Sequence, residues 1–373
     1  MDRVLESIFT VNLGVKKDEK VLVFTDLVRE DEAIGEDEKE RRSSLREISR
    51  EVAERGRALC DLTYIEFPSV STHGAEPPVE VWEAAFGKRA VKEIENRDLL
   101  NRILKKSAER EDIKAAEAII NEYAESPGAV VALSNYSTSH TRFRDFLTRC
   151  KRTRYASMPL FERSMLEGAM RADWKRVEER TLSLVGKLNG ADTVIITSHN
   201  GTSITFSVKD RVFQADTGIL TEPGSFGNLP AGEAFIAPVE GTAEGTLILE
   251  WAPTRKLRKS VSLEVKKGVV VEISGEEEFT RDLKKKLSAN PLCGNIAELG
   301  IGTNDKAARP DNILETEKML GTIHIALGDN SSFGGHTSVP YHQDFIFFRP
   351  TLEALNLKKD EKTEILIEGE PRF

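Results

Sequence analysis

The sequence predicts an α/β N-terminal domain with a mostly parallel sheet over residues 1–185 and a mixed α+β C-terminal domain over residues 186–373. Three observations carry this expectation. A chain of 373 residues exceeds what one hydrophobic core usually serves, so two cores are expected. Strand-like and helix-like stretches alternate through the first half, the pattern of strands joined by crossover helices. Beyond about residue 185, short strand-like runs succeed one another with few helices between them, which suits an antiparallel or mixed arrangement.

The first strand is expected at "KVLVFTD" (Lys20 to Asp26), an apolar run of the kind buried on both faces. An amphipathic helix follows, its apolar face marked by Leu45, Ile48, Val52 and Ala53. "DLTYIEFPS" reads as a second strand and "EVWEAAFGKRAVKEI" as a helix; "GAVVALSNY", at the Pro127-Gly128 break, reads as a third strand. A long helical stretch from about Phe161 to Leu188 comes next. In the second domain, "ADTVIITSHNGTSITFSV" sets two strands around Asn200-Gly201, a dipeptide that strongly favours a tight hairpin. "EGTLILEWAP", "SVSLEV" and "GVVVEIS" read as further strands and "EEEFTRDLKKKLSA" as a charged helix. The charge run "REDEAIGEDEKERR" is expected to be a solvated loop or helix end.

Charge narrows the partners. A formal net charge of −9 argues against nucleic acid and against an anionic membrane surface, because neither polyanion is attracted at long range. A small or neutral partner is expected instead. Cys60, Cys150 and Cys293 are odd in number, far apart and without a CxxC spacing, so neither a disulfide framework nor a structural zinc knuckle is indicated. No leader-like apolar segment opens the chain, and no apolar run approaches the ~20 residues that cross a bilayer. A reducing cytoplasm is the expected compartment.

Chemistry gathers near the C-terminus. Three of the six histidines, His324, His336 and His342, fall within nineteen residues. In "SVPYHQDFIFFRP" the aromatic and β-branched run favours a strand, where residues i and i+2 share a face, so His342 and Asp344 can converge on one object. "GTIHIALG" reads as a second strand with Ile323, Ile325 and Leu327 on the apolar face; His324 stands between the small residues Thr322 and Ala326 on the other. A single histidine of this kind is more often a hydrogen-bonded core residue than a ligand, but two histidines with an aspartate shift that balance. Carboxylates accompany them: Glu233 in "NLPAGEAFIAP", Glu298 in "GNIAELGIGTN", and Glu315 and Glu317 in "ILETEKMLGTIH". Gly300 and Gly302 beside Glu298 allow the backbone to come close to something bound. Carboxylates with imidazoles are what two divalent ions about 3.5–4 Å apart require, with one further carboxylate to take a proton from the bridging water.

In their order, "GTSITFSVKDR", "NLPAGEAFIAP", "ELGIGTN", "HIALG" and the HxD of "YHQDF" resemble the thermophilic metallo-aminopeptidases of the aminopeptidase T and aminopeptidase S family. The resemblance covers Gly201 to Phe348 and is architectural over the first 185 residues. It implies a dimeric peptidase releasing N-terminal residues from small peptides through a water activated by two Zn, Co or Mn ions. It assigns the metals to Glu233, Glu298, Glu317, His324, His342 and Asp344, with Glu298 moving the proton. Two positions depart from the family's pattern. Five residues before His324, where the family has a carboxylate, stands Met319, and Glu317 can replace it only across a two-residue insertion. Seven residues after His324, where the family has a catalytic tyrosine, stands Ser331; Tyr341 would face the opposite side of a regular strand.

Two rivals follow from the same residues. The same superfamily also resembles mononuclear Fe(II) ring-cleaving dioxygenases of the dihydroxypyridine type, for which two histidines and one aspartate are a plausible facial triad; the missing tyrosine raises this rival and the retained glutamates lower it. The other rival is a binding or scaffold protein that keeps the fold and a metal without turnover.

Overall fold

In the computed structural model, which describes residues 2–253 and 255–373, the apolar run near the N-terminus forms β1 (Lys20–Leu27), with Val21 to Asp26 buried. It pairs in parallel with β2 (Asp61–Pro68) on one side and β3 (Ala129–Ala132) on the other. β4 (Arg154–Ser157) and a short strand at Phe226–Asn228 extend the sheet, again in parallel. The predicted Leu45, Ile48, Val52 and Ala53 stripe is the buried face of the helix Glu36–Arg57. This first compact unit runs to Trp174 and takes in Gly218–Pro230; the second comprises Lys175–Thr217 and Ala231–Phe373. The expected boundary at residue 185 falls inside the helix Trp174–Leu188.

Three local expectations change. The helix expected over Glu80 to Ile94 is two, Val79–Phe86 and Lys88–Asn96, because Gly87 at φ +81° takes a conformation that breaks the helical path. The long helix expected from Phe161 is interrupted at Gly168, which separates Arg163–Glu167 from Trp174–Leu188. The charge run is only partly solvated, since Arg42 is buried, ion-paired with Glu32 and 3.9 Å from the buried Asp26.

The second unit is built from two antiparallel sheets. β5 (Thr193–Ser198) and β6 (Ser203–Ser207) form the hairpin around Asn200-Gly201, with Gly201 at φ +95°. Together with Glu244–Ala252, Arg255–Lys266, Val269–Ser274, Pro350–Asn356, Glu361–Ile367 and Glu370–Pro371 they make an eight-stranded sheet. The other sheet has five strands: β7 (Gln214–Asp216), β9 (Glu233–Ile236), β13 (Ile296–Gly302), β14 (Ile323–Gly328) and β15 (His342–Phe347), numbered in chain order with the strands just named, in the spatial order β15-β14-β13-β9-β7. Ile236, Leu299, Ile301, Ile323, Ile325, Leu327, Phe345 and Phe347 of this sheet share one buried core with Val194, Ile196, Leu247 and Leu263 of the larger sheet. Strand alternation then fixes the opposite face: every second residue of β13, β14 and β15 is turned away from that core.

Candidate metal centre

Antiparallel register turns that alternation into a site. Across the sheet Asp344, Ala326 and Glu298 lie in one row, and Ile346, His324, Gly300 and Phe235 in the next, because directly paired residues share a face. Gly302 pairs with Glu233, and Gly328 with His342. Each functional side chain therefore has an alanine or glycine beside it, which leaves room for it to lean across the sheet. Gly300 shows this most strongly: a Cβ there would lie 1.9 Å from His324 Cε1. At Gly302 a Cβ would lie 2.0 Å from the Met319 carbonyl oxygen. The two glycines thus admit the His324 ring and the incoming chain at Met319, where the sequence suggested a bound ligand.

All six sequence-selected residues meet here. His324 Nε2 is 3.6 Å from Glu233 Oε2 and 3.5 Å from Glu298 Oε1. His342 Nε2 is 3.4 Å from Glu298 Oε2 and 3.5 Å from Asp344 Oδ1. Donor atoms of Glu298, His342 and Asp344 lie within 4.8 Å of one another, and so do those of Glu317, His324 and Asp344, so Asp344 belongs to both clusters. Glu317 comes from the turn after the short helix Ile313–Thr316 rather than from the sheet. Glu315 is buried and accepts a hydrogen bond from the Ala308 amide, a role in the loop and outside both clusters. His336 is exposed and joins neither; its backbone N–H donates to Glu240.

Neighbours orient the donors. The His342 Nδ1–H donates to the Asp329 carbonyl at 2.8 Å, which leaves Nε2 for the site. Asp329 in turn accepts from Ser331 N and Oγ and from Val339 N, tying down the loop that enters β15. Ser331 is thereby spent in a turn, and the Tyr341 ring packs beside Lys286 and the apolar core. Lys318, 1% exposed at its side chain, donates from Nζ to Glu233 Oε1 at 2.6 Å and lies 2.9 Å from Glu317 Oε1. Phe333 stands edge-on to both Phe235 and His342, each at 5.9 Å. Asp329, Lys318 and Phe333 escaped the sequence reading. The Asp-Asn-Ser-Ser turn signal could have pointed to Asp329, but a lysine beside a glutamate reads as surface until the backbone turns it inward.

Protonation follows from this crowding. Burial lowers the basicity of His324, yet Glu298, Glu233 and Asp344 outweigh it and raise its pKa to about 9. Burial likewise opposes charge on His342, but Asp344 and Glu298 raise it well above the ordinary imidazole value. Burial pushes the Glu298 carboxyl up, and the two imidazoles beside it bring it well below the usual range. Glu317 goes the other way, to about 7, because burial dominates the attraction of Lys318 and because Glu233 and Asp344 repel a further negative charge. Without a metal, both imidazoles therefore carry protons at neutral pH.

The donor set fits a divalent ion. Imidazole nitrogens and carboxylate oxygens are the ligands that transition metals take, and the buried Glu233 Oε2 and His324 Nδ1 make no hydrogen bond among the described residues. Binding must displace the imidazole protons. Titration of the metal-free protein with Zn(II) at pH 7, in buffers of different ionisation enthalpy, should show release of about two protons per ion. Affinity should rise from pH 6 to about 9 as His324 loses its proton unaided. Binding without proton release would mean that the imidazoles are neutral before the metal arrives. The stability of the metal-free protein follows the same sign. A raised histidine pKa contributes fully below about 6.5 and is lost as pH rises through about 9, so the metal-free protein should weaken toward alkaline pH.

Comparison with known proteins separates the readings. The model of the family described as NicX, 2,5-dihydroxypyridine 5,6-dioxygenase, matches residues 166–358, just over half of the chain. A curated 2,5-dihydroxypyridine 5,6-dioxygenase of Pseudomonas putida is 28% identical over 165 residues. That alignment takes 40% of this chain and 45% of the relative, so less than half of the relative's length is matched. Among solved structures, the 2,5-dihydroxypyridine dioxygenase of Pseudomonas putida KT2440 superposes with a TM-score of 0.67 at 19% identity, over 99% of this chain and 96% of that one. Wild-type AmpT of Thermus thermophilus superposes with a TM-score of 0.59 at 14% identity, over 100% and 98%. At these identities both structures speak for the fold alone.

The peptidase expectation is overturned by the family match and the curated relative, and the hydrolase activity and the peptide substrate fall with it. Its resemblance to aminopeptidase T holds for the scaffold, which a peptidase and a dioxygenase share. Among the described residues, no helix is long and apolar enough to cross a membrane. With the match spanning the sheet that carries the donors, the chain belongs to the 2,5-dihydroxypyridine 5,6-dioxygenase (NicX) family.

Proposed function

We propose that this protein is an Fe(II)-dependent dioxygenase that opens a dihydroxylated pyridine-type ring, with His324, His342 and Asp344 holding the iron. The supporting observation is that the buried His324 imidazole, the His342 imidazole, 30% exposed at its side chain, and Asp344 stand on one sheet face, each imidazole grouped with Asp344, the two-histidine, one-carboxylate donor set of non-haem iron oxygenases. Bound Fe(II) would supply the one-electron chemistry through which dioxygen reacts with an electron-rich ring.

The chain's own residues do the rest. Glu298, whose two carboxylate oxygens lie 3.5 Å from His324 Nε2 and 3.4 Å from His342 Nε2, stands beside both imidazoles, where it takes a proton at Oε1 or Oε2 from a ring hydroxyl and so makes the ring electron-rich. Phe333, edge-on to His342 and to Phe235, offers an aromatic face suited to stacking a flat ring beside the site. The His342–Asp329 hydrogen bond fixes the ring nitrogen that faces the site.

An oxygen electrode tests this. Protein loaded anaerobically with Fe(II) should consume about one O2 for each 2,5-dihydroxypyridine lost, and leucyl chromogenic peptides should remain uncut. Absence of oxygen uptake with ferrous protein across a panel of dihydroxypyridines would remove the reading.

A further inference from the structure

We propose that the Lys318 ammonium is a built-in cation that takes the place of a second metal ion and holds this site to one divalent ion per chain. The inference rests on the metal reading just given and adds what sets the count.

Two donor clusters share Asp344, and on that geometry alone two bridged ions could bind. Lys318 intervenes at the cluster that includes Glu317. Its side chain is 1% exposed, and a lysine is almost never so buried unless paired. The pairing is with Glu233 Oε1 at 2.6 Å and Glu317 Oε1 at 2.9 Å. Glu317 is a carboxylate of the second cluster, which a second ion would need, and Glu233 lies beside that cluster's imidazole, 3.6 Å from His324 Nε2. The ammonium cannot easily swing away, because the backbone of Lys318 is held at both ends: its N–H donates to the Glu315 carbonyl and its carbonyl accepts from Asn304 N.

Charge leads to the same conclusion. Glu233, Glu298, Glu317 and Asp344 bring four negative charges when ionised, which two divalent ions would balance by themselves. With Lys318 present, one divalent ion leaves a single unmatched negative charge. A second would leave the buried site net positive and place a dication against an ammonium, a repulsion that water cannot screen there.

The test counts ions, with Mn(II) alone as the probe, by equilibrium dialysis and electron paramagnetic resonance. Wild-type protein should bind one Mn(II) per chain with an isolated-ion spectrum even at millimolar Mn(II). Lys318→Met removes the charge and keeps a buried chain of similar length, and it should bind two, with an exchange-coupled spectrum. Lys318→Arg, which keeps the charge, should stay at one. Should Lys318→Met fail to fold, Lys318→Gln carries the same expectation of two. Two ions in the wild type, or one in a folded charge-removing variant, would overturn the proposal. A wild-type chain that binds no ion fails the metal reading itself, an outcome distinct from binding two.

Discussion

Asp344→Ala should strip the protein of metal and of oxygen-consuming activity together while leaving it folded. Asp344 belongs to both donor clusters, so no single ion position survives its removal, whereas loss of Glu317 or Glu298 leaves one cluster intact. Ligand loss in metal sites of this kind costs on the order of 10–100-fold in affinity even for supporting residues, so a shared ligand should cost at least that. The fold should persist because Asp344 is half-buried on the site face, and its neighbours Phe345 and Phe347, which pack in the core, are untouched. The comparison is made by elemental analysis and oxygen uptake on Asp344→Ala and on His336→Ala. The second variant changes a histidine close in sequence but outside the donor set, and it should keep full metal content. Normal metal in Asp344→Ala, or loss of metal in His336→Ala, would place the site elsewhere.

Gly300→Ala should cripple the site without touching any ligand. Its new methyl would lie 1.9 Å from His324 Cε1 and 2.1 Å from Nε2, so the ring must move. That ring is 1% exposed and wedged between Glu233 and Glu298, so it has no nearby alternative that keeps Nε2 in place. Forcing a methyl into packed space costs about 1–3 kcal/mol, which should appear as a lowered melting temperature. Metal affinity should fall at least tenfold, and turnover by about 10²-fold, as happens when a reacting group is displaced by an ångström. A double-mutant cycle identifies the cause: once His324→Ala has removed the ring, adding Gly300→Ala should cost little further stability. If the two costs simply add, the glycine is needed for some reason other than the ring.

Much of this site could be read before any coordinates, because strand periodicity is local. Alternation in "HIALG" and "HQDFIF" sets which side chains share a face, turning His324 away from Ile323, Ile325 and Leu327 on β14, and His342 with Asp344 away from Phe345 and Phe347 on β15. The same local logic marked the buried β1 and the amphipathic helix Glu36–Arg57. It failed where one residue changes the path, as at Gly87 and Gly168, since a glycine's conformation is chosen by what packs around it.

What a linear pattern does not contain is which faces are brought together. Antiparallel register aligned Glu298 with Asp344 across Ala326, and His324 with Gly300, joining residues up to 46 positions apart. Only the turn after Thr316 carried Lys318 into the carboxylates, so a residue of the commonest surface type became a buried cation. The motifs by themselves determined a sheet that turns imidazoles and carboxylates to one side, a scaffold that peptidase and dioxygenase share, and so they could not choose between the two. The tertiary structure decided the rest, placing an ammonium among the carboxylates and phenylalanines beside the imidazoles, because charge balance and shape are properties of side chains that meet in space.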